Sequence, residues 1–254
     1  MGKIISIANQ KGGVGKTTTS VNLAAALAHL GKRVCIVDID PQGNSTSGLG
    51  IDKSEIKYSV YDIIINGVPA KDAVIPTMME TLFVIPANID LVGAQVELVG
   101  KMARESYLKE ALRPIKNDYD FIFLDCPPSL GVLTVNALNA SDNVLVPIQC
   151  EFYALEGLSQ LISTIKLVKK TLNPELEIEG VVLTMYDGRT NLSSQVVSEV
   201  KAYFKNKVYE TIIPRNVRLS EAPSFGLPIL KYDPKSLGSE TYMALAEEVV
   251  AANK

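Results

Sequence analysis

The sequence predicts an α/β fold, a mostly parallel sheet with helices on both faces, from three observations. Short apolar runs rich in β-branched residues recur along the 254 residues and alternate with stretches of helical spacing. A glycine-rich loop joins the first of these runs to the first helix. Runs that end in aspartate, at Asp38, Asp40 and Asp125, fit an open parallel sheet whose ligand side lies beyond the carboxyl ends of its strands.

The first element is Ile4 to Ala28, IISIANQKGGVGKTTTSVNLAAALA. Ile4, Ile5, Ile7 and Ala8 read as a buried strand, and Val21, Leu23, Ala24, Leu27 and Ala28 as the apolar side of a helix without proline. Strand, glycine loop and helix come in the order of a phosphate-binding P-loop. Gly12, Gly13 and Gly15, with Val14 among them, let successive N–H groups point at phosphate oxygens, and the helix opening at Thr17 and Thr18 adds its own N–H groups and dipole. Lys16 is spaced to reach the β and γ phosphates of a nucleotide such as ATP, and the Thr17 hydroxyl to complete a Mg²⁺ shell. The competing reading, a loop that merely turns a strand into a helix, leaves this charge and this hydroxyl unexplained.

Val34 to Val37 is the second strand, followed by Asp38, Ile39, Asp40, Pro41 and Gln42. The alternative to a ligand role for these carboxylates is a cap on the turn before Pro41. Polar Gly43 to Gly48 reads as a loop. Tyr58 to Ile65 reads as a short helix, Leu82 to Pro86 as a strand, and Val92 to Val99 and Arg104 to Ile115 as helices, none with assigned chemistry. Phe121 to Leu124 is a buried strand delivering Asp125, the Walker B arrangement that holds a carboxylate against the water shell of Mg²⁺.

Further strands follow at Asn143 to Ile148, Ile178 to Met185 and Val208 to Ile213, and helices at Leu155 to Leu172, Ser193 to Phe204 and Ser239 to Val250. Pro214 to Gly226 is too rich in proline and polar groups to read as regular. With no repeat or linker, residues 1–254 form one expected domain.

Composition narrows the classes. No apolar run approaches the about 20 residues that span a bilayer, and MGKIISIA enters the first strand without the flanks of a signal peptide, so a cytoplasmic protein is expected. Three separated cysteines without a C-x-x-C pair suit reduced, apolar use, and one histidine leaves no histidine-rich metal site. A net charge of −3 argues against a surface that is basic all over, while leaving room for a local basic face. Arg189, Lys201, Lys205, Lys207, Arg215, Arg218, Lys231 and Lys235 concentrate positive charge in the last third, with Lys201 and Lys205 at i,i+4 on one expected helix face. The alternative for each is an ordinary solubilising charge.

KGGVGKTT at Lys11 to Thr18 has Gln10 where the ordinary P-loop has its first glycine, and a second lysine, Lys11. It resembles the deviant Walker A motif of the ParA/MinD group of P-loop ATPases. VDIDPQGN, DCPPSLG and PRNVRLSEAPSFG resemble the group's two switch segments and its adenine-bordering segment, so the resemblance covers nearly the whole chain. It implies that Lys11 crosses a homodimer interface to the partner's ATP, that Asp40 orients the attacking water, that Asp38 lies near the metal, and that Pro214 and Asn216 border the adenine. The alternative for Lys11 is a solvated loop lysine.

Within the group, the acidic tail ETYMALAEEVVAANK argues against a membrane anchor of the MinD kind, and Cys126 beside Asp125 against a metal-cluster carrier. The resemblance then implies a short partition ATPase of the ParA type. Its ATP dimer binds DNA non-specifically, with Arg189 and Arg218 as the leading contacts. A ParB-type centromere-binding protein stimulates hydrolysis, and the protein is nucleoid-associated.

Overall fold

The computed structural model describes residues 2–151 and 156–253; Met1, Lys254 and the expected helix start at Leu155 lie outside the described residues. The strands are β1 (Lys3–Ile7), β2 (Val34–Asp38), β3 (Ile75–Pro76), β4 (Leu82–Ile85), β5 (Phe121–Asp125), β6 (Asn143–Gln149), β7 (Glu177–Tyr186) and β8 (Val208–Pro214). They lie side by side in the order β3-β4-β2-β5-β1-β6-β7-β8, all parallel except the short β3 against β4. The helices are α1 (Lys16–His29), α2 (Asn44–Gly48), α3 (Leu91–Glu97), α4 (Tyr107–Leu112), α5 (Val132–Ala140), α6 (Glu156–Thr171), α7 (Asn191–Phe204), α8 (Val217–Glu221), α9 (Ile229–Tyr232) and α10 (Leu237–Ala252).

Period-two alternation sends each strand's side chains to two separate cores. Ile4, Cys35, Val37, Ile122 and Leu124 face the core shared with α3 to α7, whereas Ile5, Ile7, Val34, Ile36, Phe121 and Phe123 face the one shared with α1 and α10. Burial on both faces is why these strands read as continuous apolar runs. Tyr242, Leu245, Ala246 and Val249 of α10 are buried in the second core.

Five local expectations are corrected. Residues 43–48, expected as a loop, form α2, entered through Gly43 at φ 60, because its hydroxyls are anchored on buried carboxylates. The helix expected at Tyr58 to Ile65 ends in a turn of π-helix, Asp62–Asn66, and the one expected at Arg104 to Ile115 is reduced to α4 before Pro114 opens a 3₁₀ segment. Pro214 to Gly226 is not irregular: the Asn216 side chain accepts from Arg218 N–H at 2.8 Å and caps α8, which places Arg218 on a helix rather than in a loop. Lys205 stands outside α7 at φ 53, so it does not share a helix face with Lys201. The sequence reading also left α5 unassigned.

Candidate nucleotide site

The register brings the ligand side together. Asp38 is the Cα partner of Asp125, and Asp125 of Ile7, so the ends of β2, β5 and β1 sit level, on strands about 4.8 Å apart. From β1 the chain enters the glycine loop. Gly13 and Gly15 take left-handed φ of 73° and 88°, which a residue with a Cβ adopts only at a cost, and Gly15 is the N-cap of α1. The loop is pinned from both sides. Asn9 accepts from Lys11 N–H at 3.0 Å and donates to the Pro147 carbonyl at 2.7 Å, while Thr184 of β7 donates to the Val14 carbonyl at 2.8 Å.

Lys16 opens α1 with 7% exposure, and its Nζ donates back across the loop to the Lys11 carbonyl at 3.1 Å. Burial holds its ammonium below the usual lysine range, while the charges of Asp125 and Asp40 work against that shift. Asp125 accepts from Ser20 at 2.9 Å and from Ser45 at 2.6 Å, and the nearby Thr17 hydroxyl also favours its charged form. Asp38 accepts from Thr46 through both N–H, at 2.9 Å, and hydroxyl, at 2.8 Å, and from Asp40 N–H at 3.2 Å. Burial raises the pKa of both carboxylates; Asp38, facing Asp125 as well, is pushed up to about 7. Asp40 accepts from Gln42 N–H at 2.9 Å, the turn geometry expected as its alternative, yet it also lines the cavity above the loop.

That cavity, about 310 Å³, is bordered by Gly12, Gly13, Lys16, Thr17, Asp40 and Pro128. A second cavity of about 100 Å³ adjoins it through Gly15, Thr18 and Met185, and is bordered by Pro214 and Asn216. Of the predicted residues, Gly12, Gly13, Gly15, Lys16, Thr17, Thr18 and Asp40 border the first cavity and Pro214 and Asn216 the adjoining one, whereas Lys11 and the buried Val14, Asp38 and Asp125 line neither. Met185, at φ 52 where β7 ends, borders both cavities. Sequence reasoning missed it, along with Ser20, Ser45 and Thr46. Ser20 had a signal, one helical turn after Lys16.

The four basic candidates are divided. Arg189 follows β7 and Arg218 follows β8, at the carboxyl edge, whereas Lys201 and Lys205 precede β8, so the strand's 7 residues, roughly 20 Å, separate the pairs. Arg189 is paired with Asp187 through two nitrogens at 2.8 and 2.6 Å, Arg218 with Glu221 at 2.8 Å, and Lys201 with Glu210 at 2.8 Å. Cys35, Cys126 and Cys150 are free and buried, and burial pushes each thiol up to about 12, conditions for apolar packing rather than for ligating metal. Among the described residues no helix is long and apolar enough to cross a membrane.

Backbone N–H groups, a buried cation and hard oxygen donors converging on one cleft suit a polyphosphate carried with a small divalent ion. In class the molecule is a P-loop nucleoside triphosphatase. A family model described as an AAA domain matches residues 2–178. The chain is 63% identical to the sporulation initiation inhibitor protein Soj of Bacillus subtilis, over 99% of each chain, and 57% identical to the chromosome partitioning protein ParA of Myxococcus xanthus, over 98% of this chain and 88% of that one. It therefore belongs to the Soj/ParA family of chromosome-partitioning ATPases. A solved structure of Mycobacterium smegmatis, described as cobyrinic acid a,c-diamide synthase with bound ADP and magnesium, has the same fold, with a TM-score of 0.86 and 39% identity over 98% of this chain and 94% of that one.

Proposed function

We propose that the protein is an ATP-driven switch for segregating DNA. Two copies close face to face on ATP and magnesium, hold duplex DNA by its backbone, and let go on hydrolysis. The observation that carries the reading is the second lysine of the glycine loop. Lys16 is buried over Asp125 and serves the β and γ phosphates of its own subunit; half-buried Lys11, with its carbonyl against Lys16, is left for the nucleotide of the other.

Thr17, Asp38 and Asp125 would hold the magnesium, an oxygen donor set suited to that ion. When bound, the ion neutralises charge on the β and γ phosphates. Asp40, beside the phosphate cavity, orients the attacking water, while Lys11 and Lys16 stabilise the charge that develops on the transferred group. Pro214 and Asn216 border the adenine. Arg189 and Arg218 at the carboxyl edge contact DNA phosphates, and a ParB-type centromere-binding protein stimulates hydrolysis. This places the protein on the nucleoid. The apolar side of α10 is buried, which disfavours a membrane-recruited cycle through that helix.

The test is binding of the full chain to non-specific duplex DNA and to anionic liposomes, each with ATP and with ADP. The expected result is DNA binding with ATP, collapsing over a modest rise in salt because each neutralised phosphate contributes a slope of about −0.9 in log K against log salt. Equal DNA binding with ADP, or ATP-dependent binding to liposomes instead, overturns it.

A further inference from the structure

The adjacent hydroxyls of Ser45 and Thr46 are wholly buried in α2, a helix that the local sequence does not favour. Each is directed at a different carboxylate: Ser45 donates to Asp125 Oδ2 at 2.6 Å, and Thr46 to Asp38 Oδ2 at 2.8 Å. The direction of the Thr46 bond is fixed by a third group. Its Oγ1 accepts from the N–H of Ala87 at 3.0 Å, and since a backbone N–H can only donate, the hydroxyl proton is left for Asp38. Ala87 also sets where α2 begins. A Cβ on Gly43 would come within 2.8 Å of the Ala87 carbonyl oxygen, so both polar groups of one peptide residue beyond β4 lie against the helix.

We propose that Ser45 and Thr46 are positioning residues for the magnesium–nucleotide site: α2, docked on Ala87, orients Asp125 with one hydroxyl and Asp38 with the next. The inference rests on reading Asp38 and Asp125 as the carboxylates that face the metal shell. Outer partners of this kind fix which carboxylate oxygen is turned to the ion, and losing one typically lowers metal affinity about 10- to 100-fold. Asp38 also accepts from backbone N–H groups, that of Thr46 on Oδ2 and that of Asp40 on Oδ1, so deleting the hydroxyl leaves the carboxylate bonded but held by one donor fewer at Oδ2.

The experiment measures ADP affinity by fluorescent analogue, in chelator and across a magnesium titration, with thermal melting of the metal-free chain alongside. The variants are Thr46→Val, Thr46→Ser, Ser45→Ala and Asp38→Asn. Thr46→Val is expected to keep metal-free ADP affinity within about twofold while needing about 10-fold more magnesium, and Thr46→Ser to return the requirement to within about threefold of the parent. Ser45→Ala is expected to fall between them. It leaves the Ala87 bond in place and decides the matter if Thr46→Val does not fold. Unchanged magnesium dependence in Thr46→Val and Ser45→Ala, beside a clear shift in Asp38→Asn, overturns the proposal and leaves the site reading intact. A lower melting temperature without a changed magnesium requirement overturns it as well, making the two hydroxyls mere supports of α2. No shift in Asp38→Asn overturns the site reading itself.

Discussion

At the ends of β2 and β5, Asp38 and Asp125 are wholly buried, and hydroxyl or N–H donors reach each carboxylate. Beyond β7 and β8 on the same edge of the sheet, Arg189, Arg215 and Arg218 stand in water, each paired with an acid: Asp187, Glu151 and Glu221. Stranding a buried charge costs about 3–5 kcal/mol, whereas an exposed pair exchanges its partners for water at little cost. The buried cluster is therefore tuned, and each of its members depends on the others. The exposed arginines act as a sum, and any phosphate that arrives competes with acids held no more tightly than itself.

Substitutions at the buried end should have the largest effects. Asp40→Ala is expected to bind ATP and dimerise but to lower turnover by about 10²- to 10⁴-fold, since orienting the water is a contribution to the transition state. Loss of ATP binding with normal turnover per bound nucleotide would show the assignment to be wrong. Next comes the contrast between the two lysines. Lys16→Ala should reduce ATP affinity of the monomer by about 100-fold, the lower range for truncating a buried charged contact. Lys11→Ala should leave that affinity within about threefold yet abolish the ATP dimer and stimulated hydrolysis. Nucleotide titration and sedimentation on both variants decide; a Lys11→Ala chain that dimerises normally removes Lys11 from the interface.

A smaller effect links the buried pair to pH. With Asp38 raised to about 7 from an ordinary carboxylate value in the unfolded chain, the folded state binds the extra proton between about pH 4 and 7. Metal-free stability contributed by this group accordingly falls as pH rises through that window. Asp38→Asn removes this group's share of the slope and leaves that of Asp125, so its melting temperature relative to the parent should rise between pH 5 and pH 8, by on the order of 5 °C. Magnesium with nucleotide should flatten the parent's slope. Parallel melting curves at all pH values would mean that Asp38 is not the strained carboxylate.

How far the sequence could be read follows the same division. The nucleotide loop was legible because strand, glycines, Lys16 and Thr17 are contiguous, and Asp38 and Asp125 because each terminates an apolar run. Ser45 and Thr46 were hidden in a polar string with poor helix propensity; what makes it helical is tertiary, two carboxylates presented by β2 and β5. The helix α5 was missed because residues on every side of it, among them Leu133, Asn136, Ala137 and Leu138, are buried, which erases the amphipathic period. The acids that pair the basic residues can lie far away, as Glu151 does from Arg215, so the charge count of the last third overstated its free cations. Lys205 leaves its helix at a residue that is neither glycine nor proline, and no local signal announces it.

The smallest expected effects belong to the exposed arginines. If Arg218 contacts a DNA phosphate, Arg218→Ala should weaken ATP-dependent binding by only a few-fold, to the same extent for every sequence, and reduce the salt slope by about 0.9. Its nearest acid, Glu221 at 2.8 Å, then competes with DNA for the guanidinium, and Glu221→Gln should strengthen binding by about twofold. The gain stays small because Asp233, 3.6 Å from Arg218 Nε, remains as a second partner. The same argument applied to Arg189 and Asp187 predicts a gain from Asp187→Asn. These substitutions move affinity in opposite directions at neighbouring positions, which a general loss of folding could not produce. Filter binding across salt concentrations on Arg218→Ala, Glu221→Gln and the double variant reads the outcome. An unchanged slope in Arg218→Ala, or a Glu221→Gln gain that persists once Arg218 is removed, would assign the DNA-binding surface to other cations.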